Sequence, residues 1–555
     1  MRTRSLLVTY AGYPFTPSSL MPDNGYASLA AELLREKHNT RILDYGTIDT
    51  IRRLMPADIA RKALPVVGSI FGKIGKGEAP SQDEIQELHK FDGELSNIHN
   101  REVTRIIDDL SDIIQREKIQ FIGFKLWNGD GYSGTMAIAK ALREKFPSLK
   151  IFAGGPHVDI FKGLILEKNP FFDAVSFGEG EYTILELAEY VEGKRPLGSV
   201  SNILYRDNGR ITETGVKRVD NLDSLAFPVY SDDIYPAMSG DQKLKIIVLD
   251  ESRGCPCCCH FCIQPIKSGT KVRMKSPKRV VEEMQRIISE NNIRLFRYAG
   301  SATPPSLSRA IADEILKSRL DVEYTAFGNI LGAKTEDYPV LKKSGCYSIF
   351  FGVESGSKKI LNRSFGKPRD PAEMVRILKA SKAAGIYTVA SIIYPAPFED
   401  EETTKETLNL LLEAKPHSAP VQFAAVYPQT KWAKSPENYG FKFTSENWQE
   451  KLLTYKIKLL FPPTFYEPMP YTIDGKPFHQ FAFETFKLIS ALEKNGILTA
   501  ISDDQALMAK YAGFEGRETQ FRELARQWFL SGDAEQIGSI VKTINLNQNK
   551  ERISA

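Results

Sequence analysis

Hydrophobic positions fall into two long stretches of alternating strand-like and helix-like signals, joined by an irregular connector. In the first stretch, apolar runs of strand length occupy residues 5–9, 40–43, 119–124, 150–153 and 174–177, and residues 27–37 have helical spacing. Such alternation predicts a parallel sheet covered on both faces. Residues 46 to about 117 interrupt it with helical spacing at 48–54, 83–91 and 94–115, read as a helical insertion that forms a lid or a wall. Arg52-Arg53 lie in this insertion, either on a solvated helix face or against a ligand phosphate.

In the connector, residues 196–244, Asp207-Asn208-Gly209 separates runs at 203–205 and 210–212, a hairpin signal. The second stretch has strand-like runs at 246–249, 293–298, 322–326, 347–353, 386–393 and 421–426, with helical segments between. Ser276-Pro277 is a helix start that runs through Ser289. Six strand–helix units predict a partial (β/α)6 barrel, with its chemistry at the carboxyl ends of the strands. Residues 431–555 have helical spacing at 448–461, 478–492 and 521–530, broken by prolines. Tyr455, Phe465, Tyr466, Tyr471 and His479 either line a pocket there or fill a core, and the polar last dozen residues predict a frayed end. The fold class is α/β: a doubly wound domain at 1–195, a connector at 196–244, a barrel at 245–430 and a helical domain at 431–555.

A length of 555 residues agrees with roughly three domains. A net charge of +4, with no basic block interleaved with aromatics, argues against a nucleic-acid partner. No apolar run approaches the ~20 residues that span a bilayer. Met1-Arg2-Thr3-Arg4 leads straight into a strand with no cleavage-site pattern, so no signal peptide is expected.

Five of the six cysteines lie in Cys255-Pro256-Cys257-Cys258-Cys259-His260-Phe261-Cys262. Thiols crowded so closely in a long chain point to a metal or cluster in a reducing cytoplasm. Two abutting C-x2-C pairs are too close together for the usual zinc knuckles. Cys255, Cys259 and Cys262 read C-x3-C-x2-C, three thiolates that leave one iron of a cluster open. Cys257 and Cys258 are read as bystanders, and Cys346 as a buried structural thiol.

The triplet, with Phe261 before its last cysteine and Arg253-Gly254 before its first, resembles the radical S-adenosylmethionine (SAM) superfamily. The resemblance implies a [4Fe-4S] cluster on Cys255, Cys259 and Cys262. Its open iron would chelate SAM, and its electron would cleave SAM to a 5′-deoxyadenosyl radical. An electron donor such as flavodoxin or ferredoxin is implied as well. Gly154-Gly155-Pro156-His157 and Gly178-Glu179-Gly180-Glu181 each follow a strand, where glycines let a bulky ligand approach. Standing before the cysteines, they resemble the flavodoxin-like cobalamin domain of cobalamin-dependent radical SAM enzymes, methyltransferase type, over residues 1 to about 430.

None of the seven histidines sits in the D-x-H-x-x-G pattern that supplies a lower cobalt ligand in many cobalamin proteins. Trp127, followed by Asn128 in the loop after the third strand, is then the candidate for facing the lower side of cobalt; its other reading is core packing. Tyr298-Ala299-Gly300-Ser301 stands where the family holds the SAM amino group with Gly-Gly-Glu, but the acid is missing, which leaves a backbone contact. Glu354 and Ser355, in Gly352-Val353-Glu354-Ser355-Gly356, are expected near the ribose or methionine part of SAM. The other reading of Glu354 is an acid that serves a helix N-terminus. Tyr394-Pro395-Ala396-Pro397 and Tyr427-Pro428-Gln429-Thr430 are expected to shape the substrate pocket. The function implied is methyl transfer from SAM through methylcobalamin to a carbon of a small molecule or peptide. The alternatives are a cyclase or rearrangement enzyme with the same cofactors, and a non-catalytic cobalamin or redox sensor.

Overall fold

The computed structural model describes residues 2–75, 78–300, 303–456 and 467–550. Its N-terminal sheet contains β1 (Arg4–Thr9), β2 (Asn39–Asp44), β3 (Phe121–Lys125), β4 (Lys150–Gly154), β5 (Ala174–Ser176), β6 (Ile203–Asp207) and β7 (Arg210–Glu213). The spatial order is β2-β1-β3-β4-β5-β6-β7. The first five strands are parallel, and the connector hairpin β6–β7 extends the sheet antiparallel from β5. Five of the six residues of β1 are buried, because helices cover both faces.

The two helices expected at 83–91 and 94–115 are one, Gln82–Glu117. A reciprocal cap between Ser81 and Glu84 starts it. Its buried stripe (Phe91, Ile98, Val103, Ile106, Leu110, Ile114) keeps helical spacing past Asp92-Gly93, and open space surrounds Gly93. A helix at Ala57–Gly75, which the spacing did not signal, sets Ile59 against Phe91 and Ile98. Arg52 and Arg53 are ion-paired, Arg52 with Asp49 and Glu535, Arg53 with Glu102.

The second sheet begins with β8 (Ile247–Leu249). A short antiparallel pair follows, β9 (Ser252–Arg253) and β10 (Arg273–Met274), with the cysteine loop between them. The sheet continues with β11 (Leu295–Tyr298), β12 (Glu323–Gly328), β13 (Cys346–Glu354), β14 (Tyr387–Ile393) and β15 (Val421–Gln422). All six main strands are parallel, in the order β15-β14-β13-β12-β11-β8. The last is shorter than its apolar run predicts. Cys346 is buried at the start of β13, as expected.

Side-chain parity defines the two faces of this sheet. Phe296 and Tyr298 share a core with Val280, Met284 and Ile311 of the flanking helices. Leu295, Tyr347, Tyr387 and Val389 instead pack with Ile501, Leu507, Met508, Phe521 and Phe529. The C-terminal segment therefore fills the inner face of the open barrel. Arg297, also on that face, grips Asp503 with both carboxylate oxygens at 3.0 and 2.9 Å and reaches Asp504 at 3.4 Å. Thr325 donates to Asp503 at 2.8 Å.

The frayed end is corrected in part. A helix runs Ala534–Asn547, with Ile544 and Asn545 buried. Asn545 and Gln548 accept the amides of Lys245 and Arg294 at 2.8 and 2.9 Å, which ties the segment to the strand starts. Of the expected C-terminal pocket residues, Tyr455 and Tyr471 are buried and His479 is exposed. Phe465 and Tyr466 lie outside the described residues.

Arg297→Met strands two buried carboxylates and is expected to cost the barrel about 3–5 kcal/mol. A thermal melt should show a lower Tm, and Asp503→Leu added to it should recover part of the loss.

Candidate active site

The carboxyl ends of the two parallel sheets face each other across the cysteine loop. Gly254, φ +89°, opens that loop, and a Cβ there would run into the Lys271 carbonyl oxygen. Phe261 anchors its far side against Phe365 and Trp432, with ring centres 5.3 and 5.7 Å away. The short helix Gln264–Ser268 follows.

The loop after β5 binds this unit through charge. Glu179 pairs with both terminal nitrogens of Arg273, accepts the Val219 amide at 2.9 Å and lies 3.4 Å from Arg253. Arg253 reaches Glu181 and Asp250, each at 2.6 Å. These groups lie mostly out of solvent, where paired charges hold firmly and unpaired ones are costly. Glu179, expected to touch a cofactor, therefore joins the two sheets. Gly178 has φ +70°, and a Cβ there would make ordinary contact with the carbonyl oxygen of Lys267, five residues beyond Cys262. Gly180 packs on Leu29.

Around the β1, β3 and β4 ends, the remaining expected residues form one rim. Trp127 is half-buried; its Nε1 donates to Thr9 at 2.8 Å, and the Lys125 ammonium stands 4.8 Å from its ring centre. Asn128 caps the helix Gly129–Lys145 by position, but its side chain makes no capping bond. Gly154 ends β4, and Gly155, at φ +98°, packs over Lys125 and Leu126. The Nδ1 of His157 is buried without a partner among the described residues, and burial pushes its pKa down to about 4. Asp159 accepts the Gly178 amide at 2.5 Å; burial raises its pKa to about 6, with that bond opposing. Glycine turns at the ends of β4 and β5 and the orphan imidazole nitrogen of His157 suit the approach of a large polar ligand such as cobalamin.

The cysteines sit across this junction. Burial raises Cys259 to about 11 and also raises Cys262, and the Cys262 and Cys257 charges raise Cys259 further. Cys255 hydrogen-bonds Cys257, which raises the former and lowers the latter to about 5, with help from Arg369 at 3.6 Å. Cys258 is exposed. Among the described residues no three His, Cys, Asp or Glu side chains stand close enough to hold one metal ion. Cys255, Cys259 and Cys262, three thiols on one loop, are the donors that would hold a [4Fe-4S] cluster.

At the other strand ends, Glu354 has φ +66° and pairs with Lys367 at 2.9 Å. The same ammonium donates to the Gly352 carbonyl at 2.6 Å and lies within electrostatic reach of Cys259 and Cys262. Ser355 is buried and bonded to Thr407 and Ser357, so its hydroxyl braces the turn. Gly300 packs on Glu251, and Ser301 lies outside the described residues. Lys367, Arg273 and Glu251 were not singled out from sequence. Their only signal was charge placed beside glycine turns.

Comparison with known proteins agrees with this layout. Residues 252–411 match the Radical SAM superfamily, and residues 90–188 match the B12 binding domain. An uncharacterised methyltransferase of Pyrococcus horikoshii is 27% identical over 58% of this chain and 70% of its own length. An anaerobic magnesium-protoporphyrin IX monomethyl ester cyclase of Cereibacter sphaeroides is 25% identical over 52% of this chain, which spans about half (49%) of that relative. In fold, the chain is similar to the radical SAM methyltransferase TsrM of Kitasatospora setae, solved with cobalamin and a [4Fe-4S] cluster. The TM-score is 0.67 at 14% identity, over 95% of this chain and 99% of that one. A B12-binding match and a radical SAM match thus fall on the two sheets that meet at the cysteine loop, and the chain is similar to cobalamin-dependent radical SAM methyltransferases.

Proposed function

We propose that this protein moves a methyl group from SAM, by way of cobalamin, to a carbon of a small molecule or peptide. The observation that carries the reading is the ion-pair bridge of Glu179 and Glu181 with Arg253 and Arg273: the turn after β5 and the cysteine loop share one border. When bound, the cofactors supply the radical chemistry and a transferable methyl group. The chain supplies position. Cys255, Cys259 and Cys262 would hold the cluster, with Lys367 offsetting negative charge beside it. Glu354 keeps one carboxylate oxygen beyond its Lys367 bond for a ribose or ammonium group. Trp127, fixed by Thr9, would stand beneath the corrin and exclude water and a lower ligand. The turns at 394–397 and 427–430 would shape the substrate's space. A low-potential donor such as flavodoxin or ferredoxin and a reducing compartment accompany this reading. No helix among the described residues is long and apolar enough to cross a membrane.

Cys255→Ala, Cys259→Ala and Cys262→Ala should each lose nearly all cluster iron after anaerobic reconstitution, while Cys257→Ala and Cys258→Ala keep it. Iron analysis and the reduced-cluster paramagnetic signal are the readouts. The cob(II)alamin form should show no nitrogen superhyperfine splitting; its presence, lost in His157→Ala, would assign the lower face to His157 instead. With methyl-labelled SAM, the product should carry the label by mass spectrometry. An unlabelled product with a new ring would favour the cyclase reading.

A further inference from the structure

In the radical SAM family the amino group of SAM is held by an acid that follows two glycines at the end of a strand, and this chain has none at that place. Tyr298-Ala299-Gly300 ends β11 without a carboxylate. The structure nevertheless sets one beneath the turn. Glu251, just past the end of β8, is wholly buried, and the Gly300 amide donates to its two carboxylate oxygens at 3.2 and 3.1 Å. The Thr303 hydroxyl donates to the same group. A Cβ on Gly300 would strike both Glu251 and the Ser252 hydroxyl, so only glycine lets the turn settle this closely. The Ser252 oxygen is itself buried with no partner among the described residues.

The direction of this peptide gives the contact a purpose. In a trans peptide the carbonyl points opposite to the amide that follows it. If the Gly300 N–H points at Glu251, the Ala299 C=O points away from it. Ala299 itself is exposed at the open end of β11. The Ala299 amide is tied to the Leu249 carbonyl at 3.0 Å, which fixes the peptide from its other side. A carboxylate behind an amide polarises the peptide and makes its carbonyl a stronger acceptor. The carboxylate also adds negative charge in a region sheltered from water, where screening is weak. Burial, with the neighbouring Asp250 charge, drives the Glu251 pKa up to about 7, against the Thr303 and Gly300 bonds. A cation bound across the turn would favour its ionised form.

We propose that Glu251 replaces the missing acid from behind. It is a positioning residue that holds the Ala299 carbonyl toward the SAM ammonium and strengthens it, without touching SAM itself. The inference rests on the radical SAM reading above, and it names how this chain meets one end of that cofactor.

The test compares SAM with its analogue lacking the amino group, by equilibrium dialysis on the cluster-reconstituted, cobalamin-loaded protein. The wild type should prefer SAM. Glu251→Gln keeps the shape and loses the charge; it should bind SAM about tenfold more weakly, the equivalent of roughly 1.4 kcal/mol, and bind the analogue as before. A merely structural role would weaken both ligands together, and that result, or no change in either, overturns the proposal. Should Glu251→Gln fail to take up iron, Thr303→Val provides the second reading: selective weakening of SAM by a few-fold supports the proposal, and equal weakening overturns it. Wild-type protein that retains iron and cobalamin but binds neither ligand would overturn the radical SAM reading, and this inference with it. A wild type that binds both ligands equally would overturn this inference alone.

Discussion

The ion-pair cluster of Glu179 and Glu181 with Arg253 and Arg273 is the constraint on which the rest depends. Two parallel sheets each expose their strand ends, and each alone would offer a shallow rim. The acidic turn of one sheet grips the two arginines of the short β9–β10 pair that carries the cysteine loop. Charges held this far out of water tolerate little misalignment, because a parted pair leaves each member desolvated and alone. The two rims are thereby set to face one guest.

Other contacts reinforce that registration from farther away. Arg297 with Asp503 and Asp504 seals the inner barrel face, and the terminal helix ties to the strand starts through Asn545 and Gln548. The closed side of the barrel is thus packed and the strand ends stay open. The barrel is packed on one side and faces the second sheet across its strand ends.

Much of the fold was legible in the sequence because strand and helix periods differ and the turns carry distinctive residues. The β6–β7 hairpin was visible in Asp207-Asn208-Gly209, and the helix after β10 in Ser276-Pro277. The break assumed at Asp92-Gly93 was not a break, because a glycine on an open helix face costs only about 1 kcal/mol and the buried stripe on either side carries the helix through. The end of the chain looked too polar to pack, yet its amides were the groups that dock it. In the site, the cysteine spacing was readable because covalent chemistry demands fixed ligands. The partners of Glu179, Glu354 and Gly300 were not, because a buried ion pair or hydrogen bond joins residues tens to a hundred positions apart and leaves no period in the sequence.

The account stands on the closeness of the two cofactor rims. Electron paramagnetic resonance of protein that carries the reduced cluster and cob(II)alamin together tests it most directly. The account predicts that each signal is broadened or split by magnetic coupling to the other. A spectrum equal to the sum of the two centres measured separately would contradict it.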